Sequence, residues 1–403
     1  MAPHLLYCWE LGQGYGHVLN FRHLALRLLE QGWRVSCVTK NLDVSRKMLP
    51  EIQDIRATPA TDRQVKHNPT RNLAEILVNN GFHDQQNTLN RCQAWLDIFT
   101  ELQPDIVLID HAPTALLVSH AADIPRVLMG TGFFIPPDTK PLPFLLSHLL
   151  GEQQSGAEDQ VLSQCNAFLK SAKKPPLAYF SQLFGQADDC FLCTLPEFDH
   201  YSQRQDAEYW GPCFDFEQGA LPQWTQENKP RIFVYLHQDF VAMPTILQQL
   251  HELDAAVSLH ISGIEQDVMA QYPKFIWHRD AVNLAAVAAE CDLVICHAGH
   301  GTLSGMLLNA VPLLLLPKQL EQWILAELLC RRYLAYFIPP EGDYQNLADK
   351  INRILNDDTL RQNLTAFANT YAGFSHQEQK QGMLEALQTL LENKKPGLTP
   401  GFA

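Results

Sequence analysis

Apolar residues along this chain recur in two alternating rhythms. His4 to Trp9 reads as a strand, Gly12 to Gly16 as a glycine-punctuated turn, and Val18 to Gln31 carries apolar residues at helical spacing, with Gly32 as terminator. Arg34 to Thr39 is a second strand. Asp105 to Ile109 is a short apolar run ending in Asp110-His111, followed by a helical Thr114 to Ala122 and a strand at Pro125 to Met129. Short strands separated by helices predict a parallel sheet covered on both faces, since parallel neighbours need a crossover connection.

From Pro136 to Phe184 the rhythm breaks. A lipophilic segment, Phe144 to Leu150, precedes a polar stretch and a helix predicted over Asp159 to Lys170. Two readings stay open here: one wall or lid of a pocket, or an amphipathic helix packed on the sheet. A second series then begins at Arg231 to Leu236. It continues through Ala256 to His260, the helix Asn283 to Glu290, the strand Leu293 to Cys296, and Val311 to Leu316. The expected class is α/β, with two Rossmann-like domains facing a central cleft. The expected division is a first domain over 1–212, a linker over 213–229, a second domain over 230–393 and a flexible tail over 394–403.

The 403 residues carry a net charge of −14, which argues against nucleic acid or an anionic membrane as partner. The start lacks the basic flank of a secretory signal, and no apolar run approaches the roughly 20 residues of a bilayer span, so a cytoplasmic protein without a transmembrane segment is expected. Ten cysteines are present. Several lie inside apolar strand patterns, and Cys190-x-x-Cys193 has no second pair at zinc spacing, so they read as structural.

Chemistry concentrates at Cys296-His297-Ala298-Gly299-His300-Gly301-Thr302, between a strand and a helix. Glycines there allow close backbone approach, and the amides opening a helix favour an anion. The lysine-bearing loop of a nucleoside triphosphatase is absent from the sequence. In the first half, Gly12-Gln13-Gly14-Tyr15-Gly16-His17 lacks the spacing of a dinucleotide loop, which leaves a nicotinamide oxidoreductase as an outside candidate. The same loop can bring a hydroxyl to His17. Asp110, at the end of its own strand, is either the acid that holds His17 or the N-cap of the next helix. Glu321-Gln322 open a later helix, either as an exposed acidic first turn or as groups for sugar hydroxyls.

These motifs, in this order, resemble the nucleotide-sugar-dependent glycosyltransferases of the two-Rossmann-domain (GT-B) type. The nearest pattern is that of the UDP-glucuronosyl/glucosyl and macrolide/antibiotic enzymes. His297-Ala298-Gly299-His300-Gly301-Thr302, Ala310-Val311-Pro312, Pro317 and Glu321-Gln322 resemble the donor region, Gly16-His17-Val18 the N-terminal Gly-His-Val, and Gly211-Pro212 the close of the first domain. The resemblance implies an inverting, metal-independent transfer of a sugar from a nucleotide diphosphate to a hydroxyl of a small, lipophilic acceptor, with no cofactor beyond the sugar nucleotide. It implies that His297, Gly299, His300, Gly301 and Thr302 hold the diphosphate and that Glu321 and Gln322 hold the sugar. His17 is implied as the favoured base with Asp110 as its partner, with Tyr15, His111 or substrate assistance as the alternatives, and with Tyr15 and His111 on the acceptor side.

The chain departs from the pattern in places. Gly305 stands where the family has a ribose-binding glutamate, so a deoxyribose donor of the dTDP type would lose fewer contacts than UDP. His237-Gln238 replace a glycine-serine and are candidate phosphate contacts. A sugar-nucleotide epimerase of the same architecture and a non-catalytic nucleotide-sugar-binding descendant are the alternative readings.

Overall fold

A computed structural model describes residues 2–61, 65, 70–145, 156–201, 204–205, 207–225 and 228–393. The lipophilic segment beyond Leu145 and the tail from Lys394 lie outside them. The chain forms two compact units. The first runs to Gly211 and is completed by the chain from Ser375, and the second is Pro212–Phe374.

Unit 1 is built on six strands: β1 (His4–Trp9), β2 (Arg34–Thr39), β3 (Ile55–Ala57), β4 (Ile106–Asp110), β5 (Arg126–Gly130) and β6 (Asp189–Leu192). They pair in parallel in the order β3-β2-β1-β4-β5-β6. Both β1 and β4 are buried along their whole length, as expected of central strands with helices on both faces. The helix Gly16–Glu30 buries Val18, Phe21, Leu24, Ala25 and Leu28 at spacings of three and four. Each large apolar side chain so covered contributes about 1.5–3 kcal/mol. In the irregular region, Ala157–Ser171 is a helix that buries Val161, Cys165, Phe168 and Leu169 and packs on the helices Gln85–Leu102 and Leu73–Leu77. The helix is amphipathic as expected, but its main partners are other helices and not the sheet.

Unit 2 repeats the plan with β7 (Arg231–His237), β8 (Ala256–Ser262), β9 (Ile276–Trp277), β10 (Leu293–Cys296), β11 (Leu313–Leu315) and β12 (Tyr336–Phe337), in the order β12-β11-β10-β7-β8-β9. In each sheet the first strand sits between its successor and a strand that arrives after the chain crosses over: β1 between β2 and β4, β7 between β8 and β10. The carboxyl ends at that reversal form the crevice in which doubly wound sheets take ligands.

Two boundaries differ from the sequence division. The last helix, His376–Asn393, belongs with unit 1, packing on Gly16–Glu30, while Gln379 Nε2 donates to the carbonyls of Trp210 and Gly211 at 2.8 and 2.7 Å. Its apolar stripe finds a partner far away in the chain, which local periodicity does not signal. The stretch read as a linker is instead part of unit 2. Ala220 bridges to Val282, and the Phe216 ring fills the space a side chain at Gly305 would need.

Candidate functional site

The reversal point of unit 1 assembles a histidine–carboxylate pair. Trp9, at the end of β1, is in register with Asp110, at the end of β4, and the chain after β1 turns through Gly12 and Gly14 into the helix that carries His17. His17 Nδ1 donates to Asp110 Oδ1 at 2.8 Å, and both side chains are buried. With Nδ1 turned to the carboxylate, Nε2 lies on the side of Gly12. A Cβ on Gly12 would lie 2.4 Å from Nε2, and Gly12 has φ +91°, so only glycine fits beside the imidazole here. Trp9 stacks on the imidazole at 5.0 Å between centroids and Phe134 tilts against it at 4.9 Å, which fixes the ring.

Two side chains that sequence reading missed complete the arrangement. The Tyr7 hydroxyl donates to the other carboxylate oxygen, Asp110 Oδ2, at 2.7 Å; burial and the neighbouring Asp110 push its pKa well above the usual phenol value. Glu10 performs the capping that Asp110 was a candidate for. Its Oε2 accepts from the amide of Thr114 at 2.7 Å, and its Oε1 from Trp95 Nε1 at 2.9 Å. Asp110 is thereby available to His17. Tyr7 lies inside the apolar run of β1 and Glu10 just beyond it, so their polar roles carried no local signal.

His111 follows in left-handed backbone at φ +46° and is 8% exposed. Among the described residues neither of its ring nitrogens has a hydrogen-bond partner, and burial holds its pKa well below the usual histidine value. It is the polar member of a pocket otherwise lined by apolar side chains such as Leu73, Leu77, Ile109, Leu128 and Phe134. Its ring stacks on Phe134 at 4.4 Å, on the side of the His17 dyad. Tyr15, by contrast, is 49% exposed and serves as the N-cap residue of the His17 helix.

In unit 2 the corresponding turn lies between β10 and the helix His300–Leu308. Gly299 is its N-cap residue and brings no capping side chain, and a Cβ at Gly299 would meet nothing within 4 Å. The turn passes through buried Ala298 at φ +62°, a conformation that costs a non-glycine residue about 1–2 kcal/mol. His300, Gly301 and Thr302 form the first turn of the helix, so their amides open toward the crevice at the carboxyl ends of the strands.

His297 itself departs from the role the resemblance implies. Its Nδ1 donates to the carbonyl of Leu316 at 2.8 Å, and its Nε2 accepts from the main-chain amide of His237 at 2.9 Å. Burial, chiefly, lowers its pKa to about 4. The ring is therefore neutral with both nitrogens engaged, and it braces the chain leaving β7 and β11 against β10. It has neither charge nor N–H to give a phosphate.

The other candidates in unit 2 fall into place around that brace. His237 Nδ1 donates to Asp239 Oδ1 at 2.7 Å, and the Lys318 ammonium contacts the same oxygen. Gln238 lies over Gly263. Glu321 and Gln322 occupy the first turn of the helix Leu320–Arg331, where Gln322 Oε1 accepts from the amide of Lys318 at 2.9 Å. The Cβ of any residue at Gly305 would be 2.1 Å from the Phe216 ring, so the place of the family's glutamate is filled by an aromatic side chain. Among the described residues no group of three or more His, Cys, Asp or Glu is placed to hold a metal, and no helix is long and apolar enough to cross a membrane. The ten cysteines are free thiols.

No family model matches the chain. Two curated proteins are similar to it. A zeaxanthin glucosyltransferase of Pseudescherichia vulneris is 23% identical over 385 residues, 87% of this chain and 90% of that one. A 10-deoxymethynolide desosaminyltransferase of Streptomyces venezuelae is 27% identical over 152 residues, so the chain matches only 36% of that relative's length. Among solved structures, the calicheamicin glycosyltransferase CalG4 superposes with a TM-score of 0.73 at 17% identity, covering 98% of this chain and all (100%) of that one. The spinosyn rhamnosyltransferase SpnG complexed with thymidine diphosphate superposes with a TM-score of 0.72 at 15% identity, covering 96% and 100%. With its two six-stranded parallel sheets, the chain has the GT-B fold of the macrolide and antibiotic glycosyltransferases.

Proposed function

We propose that the protein is an inverting glycosyltransferase that moves a sugar from a nucleotide diphosphate to a hydroxyl of a small lipophilic acceptor. The observation that carries this reading is the His17–Asp110 dyad at the reversal point of unit 1, with Nε2 aimed at Gly12. The acceptor's O–H proton passes to Nε2, and Asp110 stabilises the imidazolium that forms. The acceptor oxygen bonds to the anomeric carbon as the bond from that carbon to the diphosphate oxygen breaks. Attack from the face opposite the leaving group inverts the centre. The nucleoside diphosphate leaves with the extra negative charge, which the amides from Gly299 to Thr302 stabilise without a metal ion. Glu321 and Gln322 are the groups assigned to the sugar hydroxyls.

The acceptor hydroxyl is assigned to the His111 side of the dyad, where the neutral ring offers one donor and one acceptor; the apolar hollow there, about 10 Å³, has room for about one water-sized group and so takes no more than that end of the acceptor. The curated relative similar over 87% of this chain is named for zeaxanthin, a lipophilic alcohol, which supports this acceptor class. Phe216 in the place of the family's glutamate favours a dTDP-sugar over a UDP-sugar, and the solved relatives with bound thymidine diphosphate support that order.

The test is to incubate the protein with dTDP-glucose or UDP-glucose and a panel of lipophilic alcohols, with and without EDTA. Mass spectrometry and proton NMR then follow the products. A glycoside of inverted anomeric configuration, formed equally well with EDTA, is expected. A new sugar nucleotide formed without acceptor would replace this reading with the epimerase. Nucleotide binding with neither transfer nor hydrolysis would leave the non-catalytic descendant.

A further inference from the structure

We propose that Lys318 grips the diphosphate of the donor and that Asp239 keeps the lysine in place until the anion takes it over. This rests on reading unit 2 as the donor site and adds a residue to it. Lys318 stands two positions beyond Leu316, whose carbonyl accepts from His297 Nδ1. Asp239 stands two positions beyond His237, whose amide donates to His297 Nε2. The braced imidazole thus sets two loops side by side, at the reversal point and at the same end of the sheet as the helix start after Gly299.

The charges on these loops suit an exchange. Asp239 Oδ1 accepts from both the Lys318 ammonium and His237 Nδ1, and these two donors hold its pKa below the usual carboxylate range. The side chain of Asp239 is 58% exposed and that of Lys318 29%, so water screens the pair and it holds weakly. A diphosphate brings more negative charge than one carboxylate and several acceptor oxygens. Lysine, a point charge with three donors on a flexible stem, can follow that charge without rebuilding the loop. Asp239 therefore competes with the donor, which makes the effects of removing the acid and removing the lysine opposite in sign.

Isothermal titration of dTDP, UDP and thymidine into the full chain reads this directly, without turnover. Lys318→Met is expected to weaken both diphosphates about 10–100-fold while leaving thymidine unchanged, because only a charge-assisted phosphate contact is lost. Lys318→Arg is expected to stay within about threefold of the parent, and Asp239→Asn to tighten both diphosphates about three- to tenfold by freeing the lysine. Melting temperatures without ligand are expected to be unchanged in all three variants. Undiminished binding by Lys318→Met, or weaker binding by Asp239→Asn, would overturn the lysine's role and leave the donor site standing. Failure of the parent chain to bind either diphosphate would overturn the donor site and this proposal together.

Discussion

The two units use one sheet plan and place a histidine at each reversal point, yet the two imidazoles are held in opposite ways. In unit 1 His17 is tied at Nδ1 to a carboxylate that Tyr7 orients, and its Nε2 points at a glycine. In unit 2 His297 is tied at both nitrogens to main chain, and its low pKa keeps it uncharged. The first arrangement suits a ring that takes up and releases a proton. The second suits a ring that fixes two loops. A histidine at the ligand edge of an α/β sheet therefore has its role set by the partners of its two nitrogens, and sequence position alone does not distinguish them.

The strongest way to break the comparison is to remove the acid. Asp110→Asn is expected to lower kcat about 10²–10⁴-fold, the range of general-base assistance, with nucleotide affinity unchanged. Steady-state kinetics and titration of dTDP check this, and a variant with normal kcat would remove His17 from the chemistry.

A smaller effect is expected from the brace. His297→Ala leaves the Leu316 carbonyl and the His237 amide without their partner, at a cost of about 1–3 kcal/mol each where water cannot replace it. The melting temperature is expected to fall together with nucleotide affinity. The pH dependence sharpens the point. The folded pKa of His297, about 4, lies below its ordinary 6.5, so the unfolded chain binds the proton first. This ring therefore costs stability as pH falls from 6.5 towards 4 and costs nothing above 6.5. Melting curves of parent and variant across that interval are expected to converge toward the acid end. A brace-free histidine would give parallel curves.

Tyr7→Phe carries the smallest expected effect. It removes one of the donors that orient Asp110 and leaves the His17 bond to the other carboxylate oxygen in place. A loss in kcat of at most about tenfold is expected, with nucleotide affinity unchanged. A loss as large as that of Asp110→Asn would make the tyrosine as important to the dyad as the acid itself.

Much of the fold was legible because β1, β2, β4, β7 and β10 are apolar runs bounded by helical periods. Strands β3, β9 and β12, of three, two and two residues, are too short to carry a pattern. Gly12, His17, Asp110 and the Gly299 turn stood out because strand ends and glycines announce where backbone approaches a ligand. Tyr7, Glu10 and Lys318 did not, because their partners come from other strands and loops. The misplacement of His376–Asn393 has the same origin, since its apolar stripe says that it packs but not on what.

The sequence by itself determined two parallel α/β sheets and the turns at which ligand chemistry gathers. Alternation, helical period and glycine are local properties, readable within a dozen residues. Only the tertiary structure decided which imidazole nitrogen is committed to a neighbour, which acid caps a helix and which holds a histidine ring. Those outcomes depend on hydrogen bonds between groups brought together by parallel pairing, and a linear pattern holds no record of such meetings.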